Sequence, residues 1–162
     1  MDQSPQMTKV VRTPRGILTA KVDDRGRLKL PQALVTYLSD LDAQDVFITS
    51  LDRVTAKIYT NSVWEHNREI LENLTGEYSQ WGKDILFVAN DLGEDAALDS
   101  QGRLLIPTSL RKLMGMENAQ VWLETGKGVI TFYNESVYKA KSERAQQNLQ
   151  QKVEHVEGAG VK

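Results

Sequence analysis

The chain repeats itself, and that repeat limits its fold more than any other feature. Residues 23–34, DDRGRLKLPQAL, recur at 99–110 as DSQGRLLIPTSL, an offset of 76 residues. Asp, Gly, Arg, Leu, Pro and Leu keep their places at 23, 26, 27, 28, 31 and 34. A second block, IYTNSVW at 58–64, recurs as FYNESVY at 132–138, at offset 74. Two single-residue deletions between the blocks account for the change. Two blocks in the same order mean a duplicated supersecondary unit. The units span about 18–63 and 94–137, with 64–93 as a helical connection. A unit of about 45 residues is too small to close a core alone. Two copies must bury each other's faces, which predicts an α+β, β-rich chain: a small β-barrel of two similar halves flanked by helices.

Within each unit, D-x-x-G-R has a direct backbone meaning. Asp first and Gly fourth are the preferences of a type I turn. Asp23 and Asp99 are suited to accept hydrogen bonds from turn amides, and Gly26 and Gly102 supply a positive φ. The flanks, Ile17–Val22 before the turn and Arg27–Leu30 after it, predict a β-hairpin. Pro31 and Pro107 stand where a helix begins. Leu34, Tyr37, Leu38 and Leu41 then have helical spacing, as do Leu110, Leu113 and Met114, with Gly115 as a stop. Strands are predicted at Val46–Ser50, Val54–Tyr59, Val121–Glu124 and Val129–Tyr133. Ser62-x-x-Glu65 reads as a capping box opening a helix that Gly76 ends. Tyr78, Trp81, Ile85 and Val88 predict another helix. A last helix is expected from about Ser136 through Ala145, Leu149 and Val153. Residues 1–8 and 155–162 are expected to be disordered tails.

Composition removes whole classes of chemistry. There is no cysteine, so disulfides, thiolate metal sites and cysteine nucleophiles are excluded. No apolar run approaches the 20 or so residues of a membrane span. Neither histidine, His66 nor His155, has a ligand or nucleophile partner at a telling spacing, so no metal, cofactor or catalytic residue is implied. Gly126-Lys127-Gly128 lacks the spacing of a phosphate loop and reads as a tight turn. The net charge is −2, but it is uneven. Lys9, Arg12, Arg15, Lys21, Arg25, Arg27 and Lys29 face only Asp23 and Asp24 between residues 9 and 29, a local +5. A basic segment on an acidic chain points to an anionic partner.

The twin D-x-x-G-R-L-x-[LI]-P units, over residues 15–140, resemble the MraZ family of bacterial transcription regulators. The strongest stretch is AALDSQGRLLIPTSLR at 96–111. Pro14-Arg15-Gly16 lies where that family has Phe-Arg-Gly. The resemblance implies two SpoVT–AbrB modules in a swapped-hairpin barrel and a homo-oligomeric ring. It also implies binding to short direct repeats in double-stranded DNA, upstream of the protein's own division and cell-wall genes. A cytoplasmic, nucleoid-associated regulator without enzymatic activity follows from it.

The residues expected to touch DNA are Arg15, Arg25, Arg27, Lys29 and Arg103. Arginine after a turn pairs bidentately with phosphate and can read guanine in the major groove. A competing reading makes Asp23–Arg27 and Asp99–Arg103 simple turn locks, since surface ion pairs are common and weak. The second unit is less basic, so Arg103 is expected to contribute less than Arg27. From another functional class, the chain is an oligomeric assembly protein whose basic hairpins bind an acidic protein. Trp64, Trp81 and Trp122 read as core or subunit contacts.

Overall fold

Each unit delivers its elements in the same order. In the computed structural model, which describes residues 10–162, the first unit runs β1 (Leu18–Lys21), β2 (Arg27–Lys29), α1 (Gln32–Asp40), β3 (Asp45–Thr49), β4 (Ala56–Thr60) and α2 (Asn61–Glu72). A short 3₁₀ turn at Gly76–Tyr78 leads into α3 (Ser79–Leu92). The second unit follows with β5 (Glu94–Ala97), β6 (Arg103–Leu105), α4 (Thr108–Met114), β7 (Gln120–Gly126), β8 (Val129–Tyr133), α5 (Glu135–Gln146) and α6 (Leu149–Gly158). No helix of the described residues is long and apolar enough to cross a membrane.

The strands are shared between the units. One sheet has the order β1-β7-β8-β4-β3-β5, and a separate ribbon pairs β2 with β6. In the sheet, β1 of the first unit lies antiparallel to β7 of the second, from Leu18↔Leu123 to Lys21↔Gln120. In return β5 of the second unit lies against β3 of the first. This corrects the expected hairpin over Ile17–Leu30. The chain does reverse at Asp23, but beyond the bonds of the turn itself the one β-pairing between the two sides is an isolated bridge, Val22↔Leu28. Beyond it β1 and β2 part, because each finds its ladder in the other unit.

Burial explains the exchange. The ribbon's inner residues, Leu28 and Leu104, are fully buried, with Leu30, Ile106, Leu34 and Leu110 beside them in one core. Each such side chain contributes about 1.5–3 kcal/mol on burial. A hairpin closed within one unit would leave half of this set without a facing partner.

Helix ends follow local chemistry. Thr60 caps α2 by accepting from the Val63 amide at 3.3 Å. Its repeat equivalent Asn134 caps α5 by accepting from the Val137 amide at 2.9 Å. The expected cap at Ser62 is therefore two residues too late: Ser62 already lies in the first turn. Gly115 ends α4 at φ 59°. The single helix expected from Ser136 through Val153 is two, broken where Asn148 takes φ 54°. The tail expected from 155 is helical through Gly158. The expected tail at 1–8 lies outside the described residues.

Candidate nucleic-acid interface

The two D-x-x-G-R turns are built alike. Asp23 Oδ1 accepts from the amides of Arg25 at 3.0 Å and Arg27 at 2.8 Å, while Oδ2 takes Arg27 Nε at 2.9 Å. Asp99 Oδ1 accepts from the amides of Gln101 at 2.8 Å and Arg103 at 2.9 Å, and Oδ2 takes Arg103 Nε at 2.8 Å. Gly26 at φ 80° and Gly102 at φ 73° close the loops, each donating its amide to the carbonyl of the turn aspartate. The Arg103 amide, with the arginine side chain and the Gln101 amide, holds the Asp99 carboxyl down at about 2. The Arg27 amide and side chain, with the Arg25 amide, lower Asp23 in the same way. Both aspartates are turn formers that stay charged.

Each arginine locks its turn in a way that spares its outer edge. Aspartate engages each arginine only through Nε. Among the described residues no hydrogen bond or ion pair occupies the outer Nη edge of either Arg27 or Arg103. The carboxylate fixes the guanidinium and leaves free the edge that forms bidentate pairs with phosphate or guanine. The same side chain locks the turn and keeps its outer edge open to a further partner.

The ribbon then gathers the cations. Its register pairs Arg27 with Leu105, Leu28 with Leu104, and Lys29 with Arg103. Strand alternation puts Leu28 and Leu104 inward, so Arg27, Lys29, Arg103 and Leu105 share the outer face. Lys29 reaches across to donate to the Gln101 carbonyl in the other unit's turn. Reciprocal backbone bonds tie the turns together: the Leu30 amide donates to Gly102 at 3.0 Å and the Ile106 amide to Gly26 at 2.9 Å. This pairing adds to the surroundings of Arg103 a cation from outside its own unit. Its own unit supplies few cations, but Lys29 of the first unit lies directly opposite.

Arg111, on α4, was missed by sequence reasoning. A Cβ on Gly26 would collide with its guanidinium, so the second unit lays a further cation over the first unit's turn. Its Nη2 donates to Thr108 Oγ1 at 2.9 Å, and its Nε is buried without a partner among the described residues. The available signal was the repeat: Arg111 aligns with Val35, whose methyl group a Cβ on Gly102 would meet at 3.1 Å. Arg25 is exposed on the turn. Arg15 does not join this group. It precedes β1, at the end of that strand away from Asp23, in a groove with Arg12, Ile17, Glu124 and Thr125. Lys9 lies outside the described residues. No group of three or more His, Asp or Glu among the described residues is placed to hold a metal.

No family model matches the chain. It is similar to curated proteins called transcriptional regulator MraZ. That of Acidobacterium capsulatum is 32% identical over 136 residues, 84% of this chain and 87% of the relative. That of Koribacter versatilis is 31% identical over 99 residues, covering 60% and 67%. That of Legionella pneumophila is 26% identical over 134 residues, covering 80% and 85%.

Proposed function

The chain belongs to the MraZ family of transcriptional regulators, which are not enzymes, and from that premise we propose that the β2–β6 ribbon is its DNA-reading element. The observation that carries this reading is the register that sets Lys29 opposite Arg103 beside Arg27, on the outer face of a ribbon whose inner face is buried. A two-stranded ribbon fits the major groove. Arg27 and Arg103, held by Asp23 and Asp99, read base edges, while Lys29 and Arg25 hold phosphates. Net acidity is no obstacle, because phosphate attraction acts within a Debye length of about 8–10 Å.

The finer parts of the reading belong together. The strand exchange supports a swapped-hairpin barrel of two SpoVT–AbrB-like units, at about 18–63 and 94–137, with 64–93 as the connection. A homo-oligomer, closed as a ring, presents several ribbons at once to spaced direct repeats and gains affinity through effective concentration. Exposed Trp81 and Phe87, 59% and 71% accessible, support association. The site of action is the cytoplasmic nucleoid, on DNA upstream of the protein's own division and cell-wall genes.

Footprinting of that upstream DNA at stated salt is the test. Protection in evenly spaced blocks is expected. Lys29→Ala should weaken specific and scrambled duplexes alike and lower the salt slope by about one. Equal affinity for specific and scrambled duplexes, with tighter binding to an acidic protein, would leave the assembly reading in its place.

A further inference from the structure

The repeat creates the same aromatic site twice, and only one copy is fully covered by a further helix. In the first unit Phe47, Tyr59 and Trp64 cluster, with ring centroids 4.8 and 5.2 Å from the Trp64 ring. The register Phe47↔Tyr59 matches Trp122↔Tyr133 in the second unit, and Trp64 matches Tyr138 at the repeat offset. Trp122 and Tyr138 stack there at 5.0 Å. Over the first trio lies α3. It contributes Ala89 and Leu86 to the cluster, accepts a 2.6 Å hydrogen bond from Thr49 through the Ala89 carbonyl, and crosses α2 where Gly82 meets the Leu71 carbonyl. Beside the second trio, on its Tyr133–Tyr138 side, there is an open groove of about 360 Å³, lined also by Ile17 and Glu124 and edged by Lys141 and Arg144; Tyr133 is buried and Tyr138 is half-buried.

The helix that corresponds to α3 in chain order is α6, and it covers nothing. Six residues separate α2 from α3 and allow the reversal. Two, Gln147 and Asn148, separate α5 from α6, and every residue of α6 is exposed. Yet α6 is amphipathic: Leu149, Val153 and Val156, 40–49% accessible, fall at i, i+4 and i+7 on one face. Its carboxylates, Glu154 and Glu157, complement Lys141 and Arg144.

We propose that α6 of a second copy of this chain docks in the groove between α5 and the β7–β8 face, covering the Tyr138 side of the second aromatic site where α3 covers its equivalent in the first. This rests on the homo-oligomer reading above and assigns it an interface. Leu149, Val153 and Val156 are the anchors of a helix-in-groove contact, and the two acidic residues meet the two basic ones at its rim.

The test uses the full chain and exploits its lack of cysteine. Two variants, Val153→Cys and Ala145→Cys, are mixed and oxidised, and the Val153→Cys/Ala145→Cys double variant is oxidised alone. Light scattering follows wild type and Val153→Glu/Val156→Glu in parallel. The expected results are a mixed disulfide dimer, linked multimers from the double variant, and at least a tenfold higher concentration for association of the Glu variant. Lys141→Glu/Arg144→Glu should weaken association, and adding Glu154→Lys/Glu157→Lys should restore it. An internally linked monomer from the double variant would show α6 folding back on its own chain and overturn the proposal. A wild-type oligomer whose mass ignores the Glu variant, with no mixed dimer, would overturn this interface and leave the oligomer reading standing. A monomeric wild type at micromolar concentration would overturn both.

Discussion

The two units agree at their turns and disagree at their helices. At the turns the same aspartate holds the same arginine at nearly the same distances, 2.9 Å in one unit and 2.8 Å in the other. At the helices one aromatic trio is sealed under α3, while in its counterpart beside α5 Trp122 and Tyr138 stay partly exposed. Where the units meet each other, each must fit the other, and their chemistry stays alike. Where they meet the rest of the chain, nothing imposes equality, and one helix folds inward while the other projects. Even the likeness at the turns has an exception, since Arg111 covers one glycine where Val35 covers the other.

The largest expected effect tests the helix end. Trp64→Ala should cost about 3–5 kcal/mol, the range for deleting a buried large aromatic. Tyr138→Ala, at the partly exposed equivalent, should cost less than about 1.5 kcal/mol for the isolated chain. Urea unfolding of both variants decides it, and equal losses would break the contrast. Next come the arginines. Arg27→Ala and Arg103→Ala should each cost about 1–3 kcal/mol of specific DNA binding, and at most a small part of the stability with the lost Asp–Arg pair. A full loss for Arg27→Ala beside none for Arg103→Ala would mean that the ribbon does not act as one surface. Gly26→Ala and Gly102→Ala should each lose about 1–2 kcal/mol of stability, because both place a Cβ at positive φ. Thermal melts measure that loss, and Gly26→Ala alone should also displace Arg111.

The smallest effect is with pH. Both turn aspartates have carboxyls lowered in the folded state, Asp99 to about 2. A lowered acid contributes its stability above the unfolded value near 3.8 and loses it as the pH falls through the folded value. The turns should therefore hold at neutral pH and loosen only between about pH 4 and pH 2. Carboxyl NMR titration of each aspartate reads this directly, and an Asp99 midpoint at its ordinary value would contradict the hydrogen bonding described.

What could be read from the sequence was what is local. The turns, the helices after Pro31 and Pro107, and the Gly115 stop each rest on a few neighbouring residues whose preferences agree with the fold. Strand partners do not. Nothing around Ile17–Val22 says that its ladder lies at Gln120–Leu123, so the nearest strand was the natural choice, and the chain bypasses it. Lys29 opposite Arg103 follows from that same register, which is why the site was legible as a set of residues but not as a surface. Arg15 joins that set in the sequence by charge and by its Phe-Arg-Gly-like place, and the strand between them sets it at the other end of β1. The break at Asn148 escaped because α6 continues the apolar spacing of α5 across a residue that adopts a left-handed backbone at modest cost.

The ribbon's two strands have a consequence for how the protein comes into being. A strand from each half must meet across most of the first unit and the connection, so no early stretch of a chain leaving the ribosome holds a finished surface. Such distant pairings close late in folding. The first turn emerges with its arginine and lysine but with Leu28 uncovered, and it stays so until β6 has been synthesised. If the ribbon is the reading element, as proposed, competence for DNA arrives as a single late event, and a chain halted before Leu105 should pull down no more duplex than an unfolded peptide of equal charge.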